Sequence, residues 1–226
     1  MNIENFKALQ SPINKLDSFE IVRDQIAAIL FLELENQKEI APRANLDPKL
    51  FDFRVFKERS NPWDLCDAEG ENKPIINVWF SNSDYDYSSS SSIDKQKTTG
   101  FFNIDCIATA TSQETADGQT LGDEMASVEV QRVAKIIRNI LMSDTNAYLQ
   151  LRGLVWGRRV MSLNIFQPSA ENGMMQNLCA GRLVLQVTFN EFSPQYEPQE
   201  LEILNVTVHN CDGQILFNKE IAFNGN

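Results

Sequence analysis

Alternation of apolar and polar residues is clearest in the segment 101–111, near the middle of the chain. Every second residue from Phe102 to Ala110 is apolar. The intervening positions are Asn103, Asp105 and Thr109, together with one apolar exception, Ile107. A period of two residues is typical of a strand that buries one face. The segment therefore predicts a half-buried β-strand whose core side carries Phe102, Ile104, Cys106, Ala108 and Ala110.

The apolar period changes to three and four residues after position 120. A polar turn at 112–119, which contains the pair Asp117-Gly118, separates the two patterns. Thr120 is suited to cap a helix, and Asp123 places a negative charge where the helix dipole favours it. The segment 120–142 therefore predicts a long amphipathic helix. Its apolar stripe consists of Ala126, Val130, Val133, Ala134, Ile137, Ile140 and Leu141.

A second helix is predicted near the N-terminus. It follows an arm at residues 1–17 whose apolar residues have no clear period. Asp17 and Glu20 have the spacing of a capping box, and we expect the helix to end near Gln37. The residues of its buried face are Phe19, Val22, Ile26, Ile29, Leu30 and Leu34.

Three further segments have the character of strands, namely 75–80, 155–166 and 179–192. The second alternates weakly, with Met161, Leu163 and Ile165 on one side. The third alternates strongly, and its inward residues are predicted to be Leu183, Leu185, Val187 and Phe189. The intervening segment 38–74 predicts irregular structure, in which residues 51–56 form either a short strand or a hydrophobic clamp.

The segment 81–100 connects two predicted strands and contains five consecutive serines. Such a run cannot bury enough surface to offset its ordering entropy. We therefore predict a hairpin with a long tip, which either stays mobile or forms an arm that orders against another subunit. In the second case Tyr85 and Tyr87 are the expected contacts, since tyrosine is enriched at interfaces. Trp63 either faces a partner too or anchors its segment to the core, which is the commoner fate of large aromatic residues.

The C-terminal segment 194–226 predicts a β-hairpin extension. Asp212-Gly213 is a strong hairpin-turn signal between two apolar segments, and Pro194 and Pro198 precede them. The hairpin either packs on the main sheet or adds to a neighbour's sheet by edge pairing.

These elements together predict an α+β fold, with a mostly antiparallel sheet covered by two main helices, a long hairpin loop and an extra C-terminal β-hairpin. We divide the chain into an N-terminal arm at 1–17, a core domain at 18–193 that includes the extended loop 81–100, and the C-terminal hairpin at 194–226.

Composition narrows the possible classes of function. The chain has 226 residues, with 42% hydrophobic residues and a net charge of −11, and its pI is near 4.6. A chain this acidic is unsuited to bind nucleic acid by neutralising its phosphates. We expect no transmembrane helix, because no segment of about 18 apolar residues occurs, and no secretory signal, because a basic region followed by an apolar one is missing at the N-terminus.

Candidate chemistry is sparse. The four cysteines are far apart and there is one histidine, His209, so we expect no metal site, no cofactor and free thiols in a reducing compartment. No phosphate-binding glycine loop and no nucleophile elbow occurs. Asp105 lies on the polar side of its strand and could be a metal ligand, although a solvated strand face is the simpler interpretation. We therefore expect no catalytic residue and no enzyme activity, with a metal-dependent nuclease that uses Asp105 as a distant alternative.

The order helix, strand, long loop, strand, long helix, strand, strand resembles that of the tail terminator proteins of tailed bacteriophages, also called tail completion or neck proteins. The resemblance covers roughly residues 18–192. It is carried by the segments 101–111, 123–142, 155–166 and 181–192, and by the sequence Ala134-Lys-Ile-Ile-Arg-Asn-Ile-Leu141. It implies an α/β fold with helices on a mostly antiparallel sheet, assembled as hexameric rings that cap the tail tube and stop its polymerisation.

The resemblance also implies partners and a location. The expected partners are further copies of the chain, the tail tube protein, the head–tail connector or neck protein and, in a contractile tail, the sheath. DNA would pass through the ring without specific binding, and an acidic lumen would repel its phosphates. The expected location is the virion tail or neck, after assembly in the host cytoplasm and without a membrane partner. Arg158 and Arg159 either pair with acids of the next subunit or are solvated. A head–tail connector or baseplate adaptor is the alternative function.

Overall fold

A computed structural model describes residues 14–62, 73–86, 95–115, 118–168 and 177–192, and the backbone of two strands nearer the C-terminus. The helices are α1 (Ser18–Ile40) and α2 (Gly122–Leu141), and three short 3-10 turns occupy Ala41–Ala44, Pro48–Phe51 and Asp144–Asn146. The strands are β1 (Arg54–Lys57), β2 (Ile75–Tyr85), β3 (Lys95–Thr109), β4 (Gln113–Thr115), β5 (Gly118–Thr120), β6 (Val155–Phe166), β7 (Leu178–Phe192), β8 (Ile203–His209) and β9 (Ile215–Ala222).

Five strands form one sheet in the order β1-β2-β3-β7-β6. β1 runs parallel to β2, and the other three pairings are antiparallel. The longest pairing joins β3 to β7, where Phe102 lies opposite Leu185 and Ile104 opposite Leu183. The predicted α+β fold with a mostly antiparallel sheet and two main helices is therefore confirmed.

Both helices pack on the same face of the sheet and form one hydrophobic core with it. Phe102, Ile104, Cys106 and Ala108 on the predicted core side of β3 are buried as expected. The prediction of a half-buried strand is wrong here, because Asn103, Asp105 and Ile107 on the other side are buried as well. The predicted inward side of β7 is also correct, and Leu183, Leu185 and Val187 are inaccessible to solvent. Burial of each such side chain contributes about 2 kcal/mol, which makes this layer the main source of stability.

The start of α1 confirms the predicted capping pair. The backbone N–H of Asp17 donates a hydrogen bond of 2.9 Å to the Glu20 carboxylate. A second carboxylate comes from β7, because Glu191 accepts hydrogen bonds from the backbone N–H groups of Ser18 at 3.0 Å and Phe19 at 3.2 Å. A negative charge at a helix N-terminus satisfies free N–H groups and suits the helix dipole. The sheet thus holds the first turn of α1.

Glu191 should make stability depend on pH in a defined direction. Burial raises the pKa of Glu191 above its ordinary value, and Asp17 raises it further, although the hydrogen bonds from Ser18 and Phe19 oppose the rise. A raised pKa means that the folded state binds the proton more tightly than the unfolded state does, so the associated stability is lost as pH rises through the folded pKa. Relative to Glu191→Gln, the wild type should therefore lose stability as pH rises from the ordinary glutamate pKa of about 4.3 through the raised folded pKa.

Urea unfolding of the wild type and Glu191→Gln at several pH values checks this expectation. All other titrating groups are shared, so the difference between the two free energies of unfolding isolates Glu191. A difference that is constant with pH, or that changes in favour of the wild type as pH rises, would contradict it.

The start of α2 differs from the prediction. Thr120 was expected to cap the helix, but it belongs to β5, which pairs with β4 in a short antiparallel hairpin where a polar turn was predicted. The N-cap position is Leu121, and the hydroxyl of Ser112 accepts a hydrogen bond of 3.0 Å from the Gly122 N–H. Ser112, ten residues before Gly122, therefore takes the place of the predicted Thr120 cap. The spacing of residues along the chain does not indicate this contact.

The predicted loop 81–100 is wrong at both ends. β2 continues to Tyr85 and β3 begins at Lys95, and the added residues pair from Asn82 with Phe101 to Tyr85 with Thr98. The strand continues through Gly100 because the Phe189 ring lies against it, and a Cβ at Gly100 would lie 2.6 Å from the ring. Residues 82–85 and 98–101 therefore extend the β2–β3 hairpin beyond the predicted strand ends, although the segment is rich in serine and threonine. The remaining residues, 87–94, lie outside the described residues.

A second close approach involves Gly181 of β7, beneath α2. A Cβ at this position would lie 2.7 Å from Val130 Cγ1 and 2.9 Å from Ile165 Cδ1. Gly181→Ala should therefore lower the free energy of unfolding by about 2 kcal/mol through overpacking. Gly157→Ala in β6 is the matched control, because no atom lies within 4 Å of the added Cβ. Denaturant unfolding measures both variants, and equal effects would show that the helix–sheet contact tolerates an additional methyl group.

The chain divides into two compact units, Met1–Pro194 and Gln195–Asn226. The second contains β8 and β9, which pair with each other in antiparallel register from Ile203 with Ala222 to His209 with Ile215.

Within the described residues, neither helix has the length and apolar character that crossing a bilayer requires. The predicted arm at 1–17 lies outside the described residues up to position 13.

Candidate subunit interface

β6 is the long outer strand of the main sheet. It has 12 residues, whereas β1 at the opposite edge has 4. Among the described strands, β6 pairs with β7 alone. An outer strand presents a row of backbone N–H and C=O groups that another strand can pair with. β6 is therefore the part of the described sheet best suited to accept a further strand.

β6 also carries an unusual concentration of exposed apolar side chains. Five of its residues are large, apolar and at least one-third exposed, namely Trp156 (60%), Met161 (48%), Leu163 (45%), Ile165 (40%) and Phe166 (36%). Single exposed apolar residues are common on soluble proteins, but contiguous apolar patches mark interaction sites. We call these five residues the β6 strip. Leu163 and Ile165 lie on the helix side of the sheet, whereas Phe166 lies on the helix-free side against Arg182.

Two β-bulges shape the strip. The register with β7 shifts between Val155 and Gly157 and again between Val160 and Ser162. Trp156 and Met161 are the extra residues at these shifts. Bulges re-aim side chains and commonly occur at sheet edges. Beyond the second shift the pairing is regular, with Leu163 opposite Leu183 and Phe166 opposite Ala180.

Leu163 and Ile165 continue the apolar face of the core beyond the helix layer. Their partners on β7, Leu183 and Gly181, lie on the side of the sheet that α2 covers. Leu183 is fully buried, whereas Leu163 one strand further out is nearly half exposed. The core surface therefore extends past α2 to the sheet edge, where a second polypeptide could cover it.

The two arginines of β6 have different environments. The guanidinium of Arg158 donates hydrogen bonds to the carbonyl oxygens of Leu141, Ser143 and Ala147 at the C-terminal end of α2. Burial lowers the pKa of Arg158. Cations are favoured at helix C-termini, so Arg158 has a role within its own chain that the sequence did not suggest.

Arg159 is the exposed arginine of this strand. It lies opposite Gln186, whose side-chain oxygen accepts a hydrogen bond of 2.6 Å from Arg159 Nε. Since Arg158 and Arg159 lie opposite neighbouring positions of β7, they project to opposite sides of the sheet, as adjacent strand residues do. Pairing of Arg159 with an acid of another subunit remains a prediction.

The other predicted contact residues are not brought to the β6 strip. Tyr85 lies at the end of β2, opposite Thr98 of β3, and is half exposed. Two strands, β3 and β7, separate β2 from β6 in the sheet. Trp63 and Tyr87 lie outside the described residues, so their roles as contacts stay predictions.

Asp105 was expected on a solvated strand face, and that expectation is wrong. Its side chain is buried on the helix-free face of the sheet. One carboxylate oxygen accepts from Arg182 Nε at 2.7 Å, and the other accepts from Arg182 at 3.0 Å and from Trp79 Nε1 at 2.9 Å. The guanidinium of Arg182 also lies over the rings of Trp79 and Phe166, at 4.8 Å and 5.7 Å from their centres. The pairing with Asp105 raises the pKa of Arg182.

This arrangement accounts for both oxygens of Asp105 without a metal ion. Within the described residues, no group of three histidine, cysteine or carboxylate side chains is close enough to hold a metal ion. A carboxylate with a bidentate arginine partner has a structural role, because the pair neutralises itself and satisfies its hydrogen bonds.

A groove of about 450 Å³ lies between α1 and α2. Its walls combine apolar side chains with five carboxamides, and the lining is Gln25, Ile29, Leu32, Glu33, Gln37, Phe51, Ile136, Asn139, Ile140, Ser143, Thr145, Asn146 and Gln150. The single ionisable group is Glu33, which already accepts hydrogen bonds from Asn36 and Gln37. One carboxylate without a paired acid or base is a poor basis for acid–base chemistry.

The β6 strip is therefore the described surface with the most distinctive chemistry, and that chemistry suits association. Comparison with models of known protein families found no match, and comparison with curated proteins also found no match.

Proposed function

We propose that the chain is a structural virion protein, a ring-forming tail terminator of a tailed bacteriophage. The observation that carries the proposal is the β6 strip, a row of exposed apolar side chains on an outer strand of the main sheet, with Leu163 and Ile165 beside the helix layer. Large apolar patches beside a free strand edge favour association with another protein. The order of helices and strands along the sequence carries the resemblance to that family, and the overall charge of −11 suits a ring through which DNA passes.

Several copies of the chain would join through the β6 strip into a closed ring, for which a hexamer is the expected size. A ring forms when a head-to-tail contact closes on itself. One face of the ring would bind the end of the tail tube and stop its elongation. The opposite face would bind the head–tail connector or neck protein, and a sheath protein is a further possible partner. No chemical step is required for this role.

The test combines purified protein with tail tube protein from the same genome. Light scattering gives the mass of the assembly, and negative-stain images show whether tube ends carry a ring and whether tubes become shorter as the protein is added. The proposal predicts capped tubes with reduced length. A protein that stays monomeric with tubes present, and that leaves tube ends and tube length unchanged, would contradict it. Binding to the portal or adaptor protein alone would favour the connector function instead.

A further inference from the structure

We propose that the C-terminal hairpin of one copy, formed by β8 and β9, pairs with the β6 edge of a neighbouring copy and extends its sheet. The inference rests on the proposed function, because it names the segment that the β6 strip binds within the ring. It commits to a second copy of the chain as the partner.

The C-terminal hairpin belongs to its own compact unit, Gln195–Asn226. Among the described residues of this unit, β8 and β9 pair only with each other. An isolated two-stranded hairpin is only marginally stable in water, and a third strand adds the backbone hydrogen bonds and apolar contacts that it needs. β6 needs the same contacts, because it is an outer strand with exposed apolar residues. Pairing of the hairpin with β6 would therefore supply both elements with additional backbone hydrogen bonds and apolar contacts.

The lengths and patterns of the two elements match. β8 has 7 residues and β9 has 8, while β6 has 12. In the sequence of β8, Leu204, Val206 and Val208 alternate with polar residues. Strand addition places alternate residues of the added strand on one face. That apolar row can continue the surface of Leu163 and Ile165.

Charge also favours this pair. The segment 195–226 contains five acidic residues and one lysine, of which Glu220 and Lys219 lie in β9 and none lies in β8, whereas β6 contains two arginines and no acidic residue. Arg159 is the exposed arginine of β6, and its charge remains available to a partner because its hydrogen-bond acceptor, Gln186, is neutral. Opposite charges across an interface increase association rates and select the correct partner. Pairing of β6 with β6 would instead bring the arginines of two copies together.

Disulfide trapping in the full-length chain tests the inference. Cys66→Ser and Cys211→Ser remove two cysteines from the background, and the buried Cys106 and Cys179 remain. One variant then carries Asn164→Cys on β6, where the side chain is exposed, and a second carries Thr207→Cys on β8 or Asn218→Cys on β9. The variants are mixed, with and without tail tubes, and oxidised with glutathione disulfide. Because each added cysteine is on a different chain, a mixed disulfide reports contact between copies.

The expected result is a mixed disulfide between Asn164→Cys and one of the two hairpin variants, since a disulfide requires Cα atoms within about 7 Å. Its yield should exceed by about 10-fold that of a control in which Lys135→Cys on the exposed side of α2 replaces Asn164→Cys. Non-reducing gels and mass spectrometry of the linked peptides measure both yields.

Other outcomes overturn the inference in distinguishable ways. Assemblies that form and cap tubes without the mixed disulfide overturn the hairpin contact and leave the proposed function intact. Asn164→Cys linked only to itself shows β6–β6 pairing, and Asn164→Cys linked to tube protein shows a tube strand at the edge. A protein that neither assembles nor caps tubes overturns the proposed function itself.

Discussion

Arg182→Ala should lower the free energy of unfolding by about 3 kcal/mol, because it leaves the buried carboxylate of Asp105 without its ionic partner. Asp105 is 4% exposed, and both of its oxygens accept hydrogen bonds from Arg182. The substitution also removes the cation that lies over Trp79 and Phe166. The expected value is at the low end for a buried pair, since the Arg182 side chain is 36% exposed. Urea unfolding followed by tryptophan fluorescence measures it.

Arg159→Ala is the matched control, because Arg159 is an exposed arginine on the same sheet whose side chain bonds the neutral Gln186. This control should change the free energy of unfolding by less than about 0.5 kcal/mol, as for ordinary surface positions. Equal effects of the two substitutions would show that the buried pair contributes no more than a surface residue does.

Leu163→Lys combined with Ile165→Lys should weaken self-association by about 100-fold, since apolar anchors at an interface often contribute 2 kcal/mol or more. Both residues are at least two-fifths exposed in the single chain. The folded chain should therefore tolerate the lysines, whereas an interface would have to bury two unpaired charges. Sedimentation or light scattering over a range of protein concentrations measures the change.

The control places two lysines at exposed apolar positions on the helices, Leu32→Lys in α1 (64% exposed) and Val128→Lys in α2 (62% exposed). The control should assemble as the wild type does, and circular dichroism should show both double variants folded. Loss of assembly in the control alone would move the interface from the β6 strip to the helix layer. Unchanged assembly in both variants would contradict an interface at β6.

The strands and helices were predictable because each buries one face against a common core. The period of two at Phe102–Ala108 and the three- and four-residue steps of α2 follow from that single requirement, and burial confirms both patterns. The pairing of β3 with β7 agrees with the apolar sides assigned to each strand. Periodicity indicated which side of each element packs against the helix layer, but it did not indicate that the other side of β3 is buried too.

Features that depend on distant residues were not predictable. Ser112 replaces Thr120 at the start of α2, and Glu191 of β7 binds the start of α1. Asp105 occupies a polar position of the alternating pattern, which is typical of a solvated residue. It is nevertheless buried, and Arg182, 77 residues later in the chain, neutralises its carboxylate. Spacing along the chain carries no information on such pairs, because they form only when strands become neighbours.

The β6 strip shows the same limit for the candidate site. The sequence places Met161, Leu163 and Ile165 on one side of a strand, which is the pattern of a covered face. Their exposure follows from the position of β6 at the end of the sheet, beyond α2. Strand order is a property of the whole fold, so periodicity could not distinguish an interface strand from a core strand. The predicted contacts at Arg158, within β6, and at Tyr85, at the end of β2, stay predictions.

Hydrogen–deuterium exchange of the β6 backbone tests most directly whether this edge joins the copies. Exchange is compared between the assembled wild type and the dissociated Leu163→Lys, Ile165→Lys variant, with the amides of α2 as the internal reference. Assembly should slow exchange of the amides in residues 162–166 by about 10-fold or more, because strand addition protects an edge from water. An assembled ring whose β6 amides exchange as fast as those of the dissociated chain would contradict an interface at this edge.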